Sequence, residues 1–162
     1  MSSCSRTEWL SKVLRTLGWL GALISTSQVT VAQTAPAVQF TDITAQSHID
    51  FTQENSATSN KYLIETMGGG VALFDYDNDG RLDIFFTNGA LIFDPMPDGK
   101  MPDKSQKKFW NRLYHQNADG TFSDVTERSG LSGMSQAYYS MGVAVGDYDN
   151  DGFEDLYITG YG

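Results

Sequence analysis

Short apolar and aromatic runs, each bounded by glycine or by acidic residues, recur along the chain from residue 71 onward. They are rich in β-branched and aromatic side chains and too short for helices, which is typical of β-strands. The pattern predicts strands near Val71–Phe74, Leu82–Thr87, Val143–Gly146 and Leu156–Thr159. Each pair is joined by an acidic loop, so we expect two hairpins.

A further hairpin is predicted between these two. Strands are expected at Arg112–Gln116 and Thr121–Val125, joined by Asn117–Gly120, in which Asp-Gly is a strong turn signal. Four strands in local up-and-down order build one blade of a β-propeller. The fold expected is all-β: a partial propeller of about one and a half four-stranded blades.

The same nine-residue acidic loop occurs twice, 72 residues apart. Asp75-Tyr-Asp-Asn-Asp-Gly-Arg-Leu-Asp83 recurs as Asp147-Tyr-Asp-Asn-Asp-Gly-Phe-Glu-Asp155. Gly-Val-Ala precedes each loop, and Phe-x-Asp-[Ile/Val]-Thr lies further upstream, at Phe40–Thr44 and at Phe122–Thr126. The chain therefore repeats a whole structural unit and not only a turn.

Carboxylates fall at positions 1, 3, 5 and 9 of each loop, with glycine at position 6. Oxygen ligands at this spacing suit a calcium ion, and the residue at position 7 would add its backbone carbonyl. We expect two calcium ions, one per loop. The predicted ligands are Asp75, Asp77, Asp79, Arg81 and Asp83 in the first loop, and Asp147, Asp149, Asp151, Phe153 and Asp155 in the second.

Other interpretations of the loops fit less well. An EF-hand needs a glutamate at position 12, where Phe86 and Ile158 stand. Magnesium prefers a smaller octahedral shell with several waters, and zinc would require His or Cys. A plain hairpin turn explains Asn78–Gly80 but not the remaining acids. Asn78 and Asn150 are expected to brace the turns.

The N-terminus predicts export. Basic residues precede an apolar run at Leu17–Ile24, and Thr30–Ala32 offers a cleavage site before Gln33. We therefore expect residues 1–32 to be a helical signal peptide; a frayed helix or an uncleaved anchor is the alternative. Its removal would take away Cys4, the only cysteine, and leave 8 basic and 19 acidic residues, a net charge of −11. That charge disfavours nucleic acid or an anionic membrane as partner, and no membrane span is expected in the mature chain.

The rest of the chain divides as follows. Residues 33–66 are expected to hold an N-terminal strand and a polar connection, and residues 67–162 the repeats, with the first blade at about 67–126 and the second begun at about 140–162. Asp94–Lys108 is expected to be a solvated loop inserted between the second and third strands. One and a half units leave an apolar edge uncovered, so we expect an N-terminal fragment that packs against further blades.

Taken together, these motifs resemble FG-GAP/VCBS-type propeller repeats, and more narrowly secreted ASPIC/UnbV-domain proteins related to cartilage acidic protein. The resemblance rests on Phe40–Thr44, Met67–Gly80, Leu113–Asn117, Asp119–Thr126 and the second loop. It implies a seven-bladed propeller with calcium in many blades and a role in adhesion or extracellular recognition. The expected function is an exported, non-catalytic calcium-binding module whose partner is an extracellular protein or glycan.

Two other functions are compatible with the sequence. One is a fragment of a propeller hydrolase or oxidoreductase whose active site lies outside this chain. The two histidines, His48 and His115, have no evident catalytic partner, and no nucleophile or phosphate-binding motif occurs. The other is a purely structural repeat of a large cell-surface protein, which sequence alone does not distinguish from a binding module.

Overall fold

Two antiparallel sheets carry the regular structure of this protein. The computed structural model describes residues 38–134 and 138–162, and its compact unit is Thr41–Gly162. The predicted signal peptide, residues 1–32, lies outside the described residues. Among the described residues, no helix has the length and apolar character needed to cross a membrane.

The first sheet has four strands in the order β1-β2-β3-β4, each antiparallel to its neighbour. The second sheet has two antiparallel strands, β5 and β6. The strands are β1 (Val71–Phe74), β2 (Asp83–Phe86), β3 (Arg112–Gln116), β4 (Phe122–Asp124), β5 (Tyr139–Gly146) and β6 (Asp155–Tyr161). The predicted hairpins and their up-and-down order are confirmed.

Four short helical segments accompany the strands. The helix α1 (Thr44–Ser47) and a 3₁₀ turn at Leu63–Thr66 precede β1, whereas a 3₁₀ turn at Lys107–Phe109 and the helix α2 (Leu131–Met134) lie between strands. The expected N-terminal strand within 33–66 is wrong for the part the structure describes, because residues 38–66 contain no strand. Asp42 explains part of this, since its carboxylate accepts a hydrogen bond from the N–H of Thr44 (2.9 Å) and turns the chain into α1. Asp124 makes the same bond to Thr126 (2.9 Å), so the upstream repeat also recurs as local structure.

Strands β5 and β6 are longer than predicted. Pairing continues past Gly142 and Gly160 to Tyr139 opposite Tyr161, through a register irregularity between Ser140 and Gly142. The predicted strands stop just short of both glycines. Each instead sits inside the ladder where a side chain would collide: a Cβ at Gly142 would lie 2.7 Å from Thr159 Oγ1.

The main core lies between the two sheets. In β1, Ala72 and Phe74 are buried, whereas the alternate residues Val71 and Leu73 are 59% and 60% exposed. Phe85, Leu113 and Val125 complete the buried face of the first sheet. It is covered by side chains of β5 and β6: Val143, Val145, Leu156 and Ile158. Burying a side chain such as Phe85 stabilises the fold by about 1.5–3 kcal/mol.

The two sheets come close together at Gly70, just before β1. A Cβ built there would lie 3.0 Å from the backbone nitrogen of Val143 in β5. Only glycine leaves room for this contact between backbones. The glycine of the Gly-Val-Ala motif thus has a packing role in the first repeat.

The segment between β2 and β3 is inserted where predicted, but the expectation of a fully solvated loop is wrong. An isolated bridge joins Leu91 to Asp103, and Lys104 is only 1% exposed. The Lys104 Nζ donates hydrogen bonds to Asn88 O (2.7 Å), Asn111 Oδ1 (2.8 Å) and Ser140 Oγ (2.8 Å). Because Ser140 belongs to β5, this buried ammonium fastens the loop to both sheets.

Burial lowers the pKa of Lys104 from 10.5 to about 7. Between these two values the unfolded chain binds one more proton than the folded chain, so the free energy of unfolding should rise with pH. Below about pH 7, Lys104 is charged in both states, and the desolvation of its charge lowers the free energy of unfolding by the full amount. Lys104→Met should remove this dependence, as measured by urea unfolding from about pH 6 to about pH 9.

Lys100→Met is the matched control, because Lys100 is exposed and its removal should leave the pH profile of the parent unchanged. Parallel pH profiles for the parent and Lys104→Met would show that burial does not shift the titration of this lysine.

Candidate metal centre

Both acidic loops close strand hairpins, and their backbones are held in the same way. Loop 1 (Asp75–Asp83) joins β1 to β2. The Asp75 carboxylate accepts hydrogen bonds from the N–H groups of Asp79 (2.9 Å) and Gly80 (2.8 Å). The N–H of Tyr76 donates to Asp83 Oδ2 (3.1 Å), and that of Arg81 to Asp79 Oδ1 (2.9 Å).

Loop 2 (Asp147–Asp155) joins β5 to β6 and repeats all four bonds at equivalent positions. The Asp147 carboxylate accepts from the N–H groups of Asp151 (3.1 Å) and Gly152 (3.0 Å). The N–H of Tyr148 donates to Asp155 (2.8 Å), and that of Phe153 to Asp151 (2.9 Å). The common sequence therefore specifies a common backbone, with carboxylates 1, 5 and 9 oriented by backbone donors.

Left-handed residues at positions 4 and 6 turn each loop. Asn78 and Asn150 have φ values of 57° and 60°, and Gly80 and Gly152 have φ values of 84° and 89°. Asparagine and glycine are the residues that adopt this conformation most readily. This explains why Asn-Asp-Gly occurs in both loops without any bound ion being invoked.

Loop 1 gathers its four predicted aspartates in two groups that share Asp77. One carboxylate oxygen from each of Asp75, Asp77 and Asp79 lies within 4.8 Å of the others. Asp77 also forms a group with Asp83 and His115 by the same measure. Asp83 is fully buried at the start of β2, and its Oδ1 accepts a hydrogen bond from the N–H of Gln116 (2.8 Å) in β3.

His115 belongs to this cluster, although no partner for it is evident from the sequence. Its Nδ1 lies 3.1 Å from Asp83 Oδ1 and 3.6 Å from Asp77 Oδ2. Nδ1 is buried, and neither contact has hydrogen-bond geometry. Only the β2–β3 register, with Ile84 opposite Tyr114, places His115 beside Asp83, and no spacing along the chain signals this.

Arg81 places its guanidinium among the carboxylates. Its Nη2 pairs with Asp79 Oδ2, and its Nε donates to the carbonyl of Gln116 (2.7 Å). The side chain therefore links loop 1 to β3, which is a role beyond the backbone carbonyl expected of position 7. The predicted use of the Arg81 and Phe153 carbonyls as ligands stays a prediction.

Loop 2 gathers a smaller and more open group. Oxygens of Asp147, Asp149 and Asp155 lie within 4.8 Å of one another, and all three residues are exposed. Asp151 is not part of that group; its carboxylate holds the N–H of Phe153. In loop 1, β3 lies beside β2 and covers the site, whereas β6 has no second neighbour among the described residues.

The donor atoms fit a hard dication. Loop 2 offers carboxylate oxygens, and loop 1 offers carboxylate oxygens with one imidazole nitrogen at its buried end. Calcium takes six to eight oxygen ligands in flexible geometry, so carboxylates and backbone carbonyls from a single loop are suitable. A zinc site built from Cys and His has no counterpart in loop 2, which contains neither residue.

Comparison with known protein families gives one match. Residues 98–158 match the model of a family described as FG-GAP-like repeat. Comparison with the curated proteins and with the solved structures gives no significant match. The matched segment contains β3, β4, β5, loop 2 and part of β6, so it joins the outer half of one sheet to the next hairpin.

This match and the sheet topology agree. FG-GAP repeats are blades of β-propellers, and the first sheet is a four-stranded antiparallel meander of the kind that forms a blade. The all-β, partial-propeller fold and the likeness to FG-GAP-type repeats are thus confirmed. The narrower likeness to ASPIC/UnbV-domain proteins stays a prediction.

The glycine at position 6 can be tested in each loop. A Cβ at Gly80 or Gly152 would meet no atom within 4 Å, so an alanine there is disfavoured only by the left-handed backbone. We expect Gly80→Ala and Gly152→Ala each to lower the free energy of unfolding by about 1–2 kcal/mol. Chemical denaturation provides the measurement.

Gly146→Ala is the matched control, since Gly146 is equally open but has no left-handed φ. A loss as large in Gly146→Ala as in the loop variants would contradict the strain argument.

Proposed function

We propose that this protein is an exported, calcium-binding β-propeller repeat module that serves extracellular binding or adhesion and has no catalytic role. Each acidic loop would hold one calcium ion. The carboxylates of Asp75, Asp77, Asp79 and Asp83 would be the ligands in loop 1. In loop 2, the ligands would be the carboxylates of Asp147, Asp149 and Asp155, together with that of Asp151.

The observation that carries this proposal is the duplicated loop with its duplicated hydrogen bonds. Two unit charges about 4 Å apart near a protein surface repel each other by about 4 kcal/mol. Three carboxylate oxygens within 4.8 Å therefore repel one another, and a bound cation would offset this repulsion. In loop 1, Arg81 offsets part of it, but position 7 of loop 2 is Phe153.

The position of the loops favours a structural role for the ion. Each loop joins adjacent strands whose apolar side chains form the interface between the sheets. An ion bound to the loop would thus stabilise the hairpin and, through it, the sheet packing. The acidic composition, the predicted signal peptide and the repeat match support placing this module outside the cell, in contact with a protein or glycan.

Calcium should stabilise the parent protein against heat. At a calcium concentration about 100 times the dissociation constant, each loop would contribute about 2.7 kcal/mol. We expect Asp77→Asn together with Asp149→Asn to abolish the calcium-dependent rise in melting temperature, followed by circular dichroism with calcium or with excess chelator. Asparagine keeps the size of aspartate while it removes the charge.

Asp98→Asn controls for the loss of a carboxylate elsewhere, because Asp98 lies in the exposed part of the inserted loop. The same titration with magnesium tests the choice of ion, and a much smaller shift is expected. Identical melting curves with calcium and with chelator in the parent would rule out calcium binding of structural weight.

Export predicts a defined N-terminus. When the full chain is expressed in a host with a general secretion pathway, the exported product should begin at Gln33, which intact mass and N-terminal sequencing would establish. Retention of all 162 residues in the cell fraction would contradict the signal peptide and with it the proposed location.

A further inference from the structure

The two acidic loops touch each other directly. The Nδ2 of Asn78, at position 4 of loop 1, donates a hydrogen bond to the carbonyl of Gly152 in loop 2 (3.0 Å). In the opposite direction, Oε2 of Glu154 in loop 2 accepts a hydrogen bond from the N–H of Asp75 (3.1 Å). Each loop thus supplies one side chain that holds the backbone of the other.

These bonds fall on the parts of the loops that orient the carboxylates. The peptide group between Gly152 and Phe153 receives Asn78 on its oxygen, while its N–H holds the Asp151 carboxylate. Glu154 holds the N–H of Asp75, whose own carboxylate accepts two bonds from within loop 1. Ordering one loop therefore orders a peptide group that the other loop needs.

The contact made by Asn78 and Glu154, called the junction below, is specific to the way the two repeats meet. Position 8 is Leu82 in loop 1 and Glu154 in loop 2, so the junction carboxylate is not part of the shared motif. Asn150, the counterpart of Asn78, has the same left-handed φ but makes no hydrogen bond to loop 1 in the described part of the chain. Asn78 and Glu154 are consequently the residues that link the loops.

We propose that Asn78 and Glu154 couple the two loops, so that a cation bound in one loop raises the affinity of the other. The coupling rests on the proposed calcium binding and adds a regulatory property to it. Two dications repel each other, which opposes the coupling, but salt screens that repulsion over about 8 Å at physiological ionic strength. The favourable part of the coupling comes from ordering the same peptide groups for both loops, and salt does not screen this ordering as it screens the repulsion.

The experiment is a calcium titration of the full chain by calorimetry in about 0.15 M salt, with the amide signals of Gly80 and Gly152 followed by NMR so that each loop is reported separately. Asp149→Asn disables loop 2 and should lower the affinity of loop 1 by at least about 5-fold. Asp77→Asn should lower the affinity of loop 2 by the same factor, because coupling between two binding sites is reciprocal.

The junction variants isolate the cause. Asn78→Gly removes the side chain but keeps the left-handed backbone, and Glu154→Leu installs the residue that loop 1 carries at this position. In the double variant, the two ions should bind independently, with the affinities that the single-loop variants show. Asn150→Gly, the matched control, should leave the coupling intact.

The outcomes separate this proposal from the one on which it rests. Two ions that bind the parent protein independently, or with mutual weakening, would overturn the coupling and leave calcium binding in place. Coupling that survives in the double junction variant would overturn the role of Asn78 and Glu154. If neither loop of the parent binds calcium, both proposals fail.

Discussion

The packing of one sheet against the other is the interaction on which the rest of this structure depends. The buried cluster of the four-stranded sheet, which contains Phe74 and Phe85, packs against side chains of the second hairpin such as Val143 and Ile158. Gly70 allows the backbones to come close enough for this contact. Because loops 1 and 2 close the two hairpins in contact, this apolar interface brings the two acidic loops together. An interaction without charge thus determines where eight aspartates are placed.

Polar contacts complete what the apolar interface begins. Asn88, two residues after β2, accepts hydrogen bonds from Lys104 and from the backbone N–H of Ser140, and its side chain holds the N–H of Glu54. The buried amide of Asn88 and the buried ammonium of Lys104 thus hold the long connections against both sheets. Asn111 Oδ1 is a further acceptor for the Lys104 ammonium. Buried polar groups of this kind are costly unless each is satisfied, so they specify one arrangement of the loops. The inserted segment is therefore part of the fold, although its composition is that of a surface loop.

The two acidic loops share a sequence but not an environment. Loop 1 is covered by β3, which adds His115 and the backbone N–H of Gln116 to its site, whereas loop 2 is exposed. The family match runs from the outer strands of one sheet into the next hairpin, so the repeat in sequence is offset from the sheet in space. The matched segment therefore includes the stretch of chain that connects the two sheets. Loop 2 lies inside the matched segment and loop 1 lies before it. The hydrogen bonds made by Asn78 and Glu154 therefore join two neighbouring repeat units.

The sequence alone determined the approximate positions of the six strands, their local order and the backbone of both acidic loops, although β5 and β6 extend beyond their predicted bounds. Those features depend on residues close in the chain: alternating apolar side chains, turn residues, and carboxylates that bond to N–H groups four or five positions away. Tertiary structure decided the rest. His115 reaches Asp83 only through strand register, Lys104 is buried only because β5 supplies Ser140, and Glu154 meets Asp75 across 79 positions. No local propensity encodes such pairings, because their energy comes from groups that meet only after the sheets have packed.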